Sequence, residues 1–246
     1  MQRLSVKYRL CEGDPDEVLS QLSLNRRGEM IIDTDTNCTG QLPVLQRNGV
    51  TIVGRYYCAD QSSYKLIQRD EAKYLSKNNI KIFVVYEDHA VLSLTKQQGR
   101  DDADRAMNCA AAIKQPRGSA IYFAAEGPDG GYGSAHLEGL RKYFSGVTEK
   151  IGTAFDIGVY GGGIVCRTMR DERYCKFTWL ASASTGWEGT CDFYGHKTPE
   201  WDLCQVPPLD MSEAEGWPGL SVDIDLNNPR RHNGDFGAFL VPTSDA

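Results

Sequence analysis

The chain has 246 residues, 41% of them apolar and 24% charged, with 25 glycines, 10 prolines and a formal net charge of −6. Such a composition supports one substantial hydrophobic core and excludes a disordered or fibrous protein, and no apolar stretch reaches the length of a membrane-crossing helix. Lys and Arg are scattered, so nucleic acid is not the expected partner.

Residues 1–28 are polar and read as a lead-in to a single domain over residues 29–246. They hold no apolar block followed by a small-residue cleavage site. The expectation is therefore a cytoplasmic protein, a mature chain, or delivery to the periplasm or cell wall without a conventional signal.

From Glu29 the chain alternates. "EMIIDTD" is a short strand ending in carboxylates, "GQLPVLQRNG" a helix closed by Gly49, and "VTIVGRYYC" a strand rich in β-branched and aromatic residues. In "YKLIQRDEAKYLSKNN", Leu66, Ile67, Tyr74 and Leu75 share one helical face. "IKIFVVYED" is nearly continuous in apolar residues, as in a strand buried on both faces. "DDADRAMNCAAAIKQP" reads as a helix with acids in its first turn that stops at Pro116. "SAIYFAAE" is the fourth strand, and "SAHLEGLRKYFSGV" is amphipathic through Leu137, Leu140, Phe144 and Val147.

"AFDIGVYGGG", "KFTWLASAS", "EWDLCQV" and "LSVDIDLNN" supply four more strands, with a helix from Ile164 to about Arg170 after the first of them. Eight strands alternating with helices predict an α/β fold, a TIM-like (β/α)8 barrel, parallel and in one domain. An open doubly wound sheet is the alternative, but "GVYGGG" lacks the spacing of a dinucleotide site, and no cofactor is expected.

The eight cysteines at 11, 38, 58, 109, 166, 175, 191 and 204 point towards an oxidising compartment. Cys166 with Cys175, and Cys191 with Cys204, are the nearest disulfide candidates; buried thiols are the competing reading. There is no CxxC, and His89, His136, His196 and His232 are not at ligand spacing, so no metal site is expected.

In a barrel the active site lies where the strands end. There the sequence places Asp33 and Asp35, Glu87 and Asp88, Glu126, and Asp223 with Asp225. Tyr56, Tyr57, Tyr86, Tyr122, Tyr160, Trp179 and Trp201 lie nearby in sequence. A ring of acids with aromatic walls suits sugar hydrolysis: one acid protonates the glycosidic oxygen, a second negative group supports the oxocarbenium-like state, and flat rings stack on sugar faces. Taken singly, an acid after a strand is a turn or cap residue. The same acids would also suit a hard cation such as Mg or Ca.

The ordered set "IIDTDT", "GVTIVGRYY", "IYFAAE", "IGVYGGG", "FTWLASAS", "WDLCQ" and "VDIDLNN" resembles the glycoside-hydrolase-like domain of unknown function found in bacteria and fungi. That domain is similar to the family 25 glycoside hydrolases, which are lysozymes on a β/α barrel. The resemblance implies a peptidoglycan-directed muramidase that cleaves between N-acetylmuramic acid and N-acetylglucosamine. Glu126 matches its general acid, Asp33 its strand-one aspartate, and Asp225, in "DLN", its closing aspartate. Trp179, and Trp201 with Gln205, match its strand ends.

Asp35, Tyr56, Tyr86, Glu87, Tyr122, Tyr160, Trp179, Trp201, Gln205 and Asp223 are then the expected substrate-binding residues. One position departs: those lysozymes carry Asp-x-Glu on strand four, and here the Asp is Ala124. Its loss leaves a substrate-assisted route open, in which the sugar's own N-acetyl group attacks. It equally suits a glycan-binding barrel that has lost turnover. The expected partner is peptidoglycan or another N-acetylated glycan. A toxin or lysin delivered by a dedicated secretion machine would have a cognate inhibitor protein.

Overall fold

The computed structural model describes residues 30–88, 93–127, 130–182, 184–195, 199–206 and 216–244. The lead-in expected over residues 1–28 lies outside them. In chain order the strands are β1 (Met30–Asp33), β2 (Val50–Tyr57), β3 (Lys81–Tyr86), β4 (Ala120–Ala124), β5 (Glu126–Gly127), β6 (Gly130–Gly131), β7 (Asp156–Gly161), β8 (Phe177–Ala181), β9 (Leu203–Gln205) and β10 (Asp223–Asn227). The helices are α1 (Leu42–Arg47), α2 (Arg69–Lys77), α3 (Lys96–Ile113), α4 (Leu137–Ile151), α5 (Gly163–Asp171) and α6 (Thr190–Tyr194).

Eight strands close into a barrel in the order β1-β10-β9-β8-β7-β4-β3-β2. This is the TIM-like α/β barrel that the strand count predicts, with one difference. β10 runs antiparallel to both its neighbours, β1 and β9. It enters the barrel from the mouth, so its first residue, Asp223, stands level with the last residue of β1, Asp33. Asp225 lies one pleat deeper, opposite Ile31.

Two helices begin elsewhere than their hydrophobic pattern suggests. Leu66 and Ile67 are buried ahead of α2, in a segment tied to β2 by an Ile67 N–H bond to the Tyr56 carbonyl at 3.1 Å. α3 begins five residues before Asp101, because the Thr95 hydroxyl caps it by accepting from Gln98 N–H at 3.1 Å. Its first turn therefore carries no acid.

Alternate strand residues divide the apolar side chains into two cores. The outer one, between barrel and helices, holds residues such as Val53, Ile82, Val84, Phe123 and Val159; the inner one holds Ile31, Phe83, Tyr122, Phe177 and Trp179. Inside, Phe83 meets Trp179 and Phe236 edge-on at 5.1 and 5.7 Å. Glycines make room for these rings: a Cβ on Gly54 would stand 2.4 Å from Phe83, and one on Gly158 2.3 Å from Tyr122.

The C-terminal segment closes the end opposite the mouth. Phe239 and Ile82 exchange backbone hydrogen bonds at 2.8 Å, and the Tyr122 hydroxyl donates to the Phe236 carbonyl at 2.9 Å. The barrel interior is thus a filled core, and polar groups gather at the mouth.

Candidate active site

The deepest polar layer of the mouth is a pair of carboxyl groups. Asp33 is 1% exposed and Asp225 0%. Oδ1 of Asp33 accepts from the Tyr56 hydroxyl at 3.0 Å and Oδ2 from the Gln205 amide at 2.9 Å. Oδ1 of Asp225 accepts from the Trp179 indole N–H at 2.8 Å, while its Oδ2 meets no ordinary donor and faces Asp33. Two buried carboxylates cannot both ionise at such close range, so the pair shares a proton. Burial, then the charge of Asp223, pushes Asp33 up to about 7. Burial, then the charge of Asp33, holds Asp225 well above the carboxylate range.

Above this pair lies a bridge of neutral groups. The Gln205 amide also reaches Asp223 Oδ2, at 3.5 Å, and its carbonyl accepts from the Tyr160 hydroxyl at 2.8 Å. Tyr160 leans on Trp179, with ring centroids 4.5 Å apart, and lies near enough to Glu126 to act on its carboxyl. Burial, then Glu126, keeps the Tyr160 phenol neutral. Ala124 is the strand partner of Tyr160, so the position that lacks a carboxylate lies beside this phenol.

Glu126 does not simply end β4. It begins the hairpin β5–β6, where Glu126 pairs with Gly131 and Gly127 with Gly130. The hairpin lies against Trp187 so closely that a Cβ on Gly131 would stand 2.3 Å from the indole. Just beyond, Ser134 N–H donates to Glu188 at 2.7 Å. Glu126 is half-buried, and burial followed by Glu87 raises its carboxyl, opposed by Tyr160 and Lys65. Lys65 pairs with Glu87 at 3.3 Å and lies over the Tyr56 ring. On the same side the Tyr64 hydroxyl donates to Asp35 at 3.1 Å.

Asp33, Asp35, Tyr56, Glu87, Glu126, Tyr160, Gln205, Asp223 and Asp225 thus come together at the mouth. Trp179 is part of it as floor, 1% exposed and turned to Asp225, with no face free for stacking. Three expected residues fall elsewhere. Tyr86 points outward and donates to Asp102 of α3 at 3.3 Å. Tyr122 is sealed beneath Phe83 and Trp179. Trp201 lies in the outer core, its indole N–H on the Tyr194 carbonyl at 3.1 Å. The cysteine pairs are likewise absent: Cys166, Cys175 and Cys204 are buried free thiols.

Residues 44–223 match the family described as "Rv2525c-like, glycoside hydrolase-like domain". The chain belongs to this family. Among solved structures it is similar to the Tat-secreted protein Rv2525c of Mycobacterium tuberculosis, with a TM-score of 0.63, 20% identity, and coverage of 85% of this chain and 98% of that one. An uncharacterized B. stearothermophilus protein gives a TM-score of 0.61 and 18% identity, over 84% of this chain and 99% of that one. These likenesses concern the fold. The uncharacterized protein YbfG of Bacillus subtilis is 26% identical over 223 residues, which are 84% of this chain and 30% of YbfG, so the chain spans under a third of that relative.

Two aromatic residues of this glycoside hydrolase-like domain escape a reading of strand ends. Tyr64 is 70% exposed beside Asp35, and Trp187 is half-buried across the mouth, against the Glu126 hairpin. Each sits in a polar loop, "SSYK" and "TGWEG". An aromatic residue with no apolar neighbours in sequence is the signal that marks it. Among the described residues no three His, Cys, Asp or Glu side chains are grouped to hold a metal ion. No described helix is long and apolar enough to cross a membrane.

Proposed function

We propose that this glycoside hydrolase-like domain is a peptidoglycan-directed hydrolase, a muramidase that cuts between N-acetylmuramic acid and N-acetylglucosamine with Glu126 as general acid. The observation that carries this reading is Glu126 itself: half-buried at the mouth, its carboxyl raised by burial and by Glu87, above a buried acidic floor. A carboxyl in that setting holds its proton to higher pH than a free one, as an acid catalyst must.

With Ala124 in place of a strand-four aspartate, the substrate-assisted route fits best. The N-acetyl carbonyl oxygen attacks the anomeric carbon, the glycosidic bond breaks, and the leaving oxygen takes the proton of Glu126. Water then opens the oxazolinium ring and returns a proton to Glu126. Asp33, through its one negative charge shared with Asp225, supports the positive charge that develops. Tyr64 and Trp187 form the walls on which sugar rings stack. Such a substrate implies action outside the cytoplasm.

Purified sacculi digested with wild type and with Glu126→Gln, with products identified by mass spectrometry, test the assignment. New reducing ends from the wild type, reduced about 100-fold or more in the variant, are expected. No product from the wild type, or undiminished cleavage by the variant, sinks it. Ala124 favours a second reading, a glycan-binding barrel without turnover; tight sacculus binding with no product is its signature.

A further inference from the structure

We infer that Asp223, not Asp33 or Asp225, is the carboxylate that meets the substrate opposite Glu126; this rests on the glycosidase reading. Access is the first ground. Asp33 and Asp225 are 1% and 0% exposed, whereas Asp223 is only half-buried at the mouth.

The second ground is where the oxygens are committed. Asp33 accepts from Tyr56 on one oxygen and from Gln205 on the other, and Asp225 accepts from Trp179. A substrate reaching either would displace a buried hydrogen bond and leave its partner unsatisfied. Asp223 accepts, among the described residues, only the long 3.5 Å contact from Gln205. It keeps lone pairs for a ligand.

Topology supplies the third. Because β10 is reversed, Asp223 is its first residue and stands level with Asp33, above Asp225. The Gln205 amide holds Asp33 and Asp223 together, and its carbonyl holds Tyr160, which lies near Glu126. Glu126 and Asp223 are therefore the two ends of one bridge, Tyr160–Gln205, with the pyranose ring between them. In the substrate-assisted step Asp223 accepts a hydrogen bond from the acetamido N–H while the carbonyl oxygen of that group attacks. Asp33 fixes the Gln205 amide and, with Asp225, acts on the developing charge from below without touching the sugar.

The test compares wild type, Asp223→Asn, Asp223→Ser and Asp33→Asn on purified sacculi and on the same sacculi after de-N-acetylation. Both Asp223 variants are expected to lose at least about 100-fold in kcat on native sacculi. They are also expected to lose the wild type's preference for N-acetylated over de-N-acetylated glycan, with thermal unfolding unchanged. Asp33→Asn should keep that preference whatever its rate. An Asp223 variant within about threefold of wild type overturns the inference while leaving the glycosidase reading in place. So does a slow variant whose preference is intact. No product from the wild type overturns both.

Discussion

The Trp179 indole N–H donates to Asp225 Oδ1 at 2.8 Å in the centre of the barrel, and both residues are almost wholly buried. This one bond joins the aromatic core to the acidic floor. Trp179→Phe keeps most of the apolar contact with Phe83, Tyr122 and Tyr160 but leaves a buried acceptor without a donor. The expected cost is about 1–3 kcal/mol, read as a lower urea midpoint with an unchanged m-value.

The Asp33–Asp225 pair makes stability depend on pH in an unusual direction. Ordinary paired carboxylates have depressed pKa values and lose stability in acid. Here burial raises both groups, Asp33 from 3.8 to about 7, so the folded state binds more protons than the unfolded chain across that window. This contribution is complete below the unfolded pKa and is lost as pH rises through the folded one. Unfolding free energy should fall between about pH 4 and 7, by this contribution, and Asp225→Asn should flatten the decline because an amide replaces the protonated carboxyl. A decline of the same steepness in the variant would count against the shared proton.

Glu126 has neighbours of both signs, which allows a test in two directions. Glu87 raises its carboxyl and Lys65 lowers it. If Glu126 is the acid, activity falls as pH rises and Glu126 deprotonates. Glu87→Gln should move that alkaline limb to lower pH, and Lys65→Met should move it to higher pH. Limbs that coincide with wild type in both variants would remove Glu126 as the titrating group.

What the sequence conveyed and what it did not follow from the geometry of strands. "IIDTD" and "FAAE" end apolar runs in acids, which is enough to find Asp33 and Glu126. Direction is another matter, because a period of two reads the same forwards and backwards; the reversed β10 was invisible, and with it the order of Asp223 above Asp225. Parity was hidden for a related reason. Tyr56 and Tyr86 both follow apolar strands, but a strand buried on both faces has no polar side to say which residues point inward. Tyr56 aligns with Ile52 and Gly54 towards the interior, and Tyr86 with Ile82 and Val84 towards the helices. Tyr64 and Trp187 lie in loops, where no periodicity exists to place them.

The cysteines follow the same lesson about burial. Cys38, Cys58, Cys109, Cys166, Cys175 and Cys204 are free and buried. Burial, then Glu71, pushes the Cys38 thiol up to about 12, and burial raises Cys58, Cys109 and Cys166 as well. A protonated, enclosed thiol is a poor nucleophile. These six should resist alkylation by iodoacetamide in the native protein and react on unfolding, as peptide mapping by mass spectrometry would show. Fast native labelling at Cys166 or Cys175 would contradict their packing.

The loop that follows Asp33 is held from outside the barrel. Arg55 of β2 and Glu71 of α2 form a fully buried pair, with Nε to Oε1 at 2.8 Å and Nη2 to Oε2 at 3.2 Å. Arg55 also donates to the Thr34 carbonyl, and Glu71 accepts from Cys38 N–H at 2.8 Å, so the pair binds both ends of the turn after β1. Arg55→Met strands a buried carboxylate and is expected to cost about 3–5 kcal/mol. Arg55→Met with Glu71→Leu removes both charges and should recover part of that loss. The Cys38 N–H and the Thr34 carbonyl remain without partners, so about 1–3 kcal/mol should persist for each that water cannot reach. Urea titrations of the two single variants and the double variant measure the coupling directly. A double variant no more stable than Arg55→Met would mean that the pair acts through its backbone contacts and not through its charges.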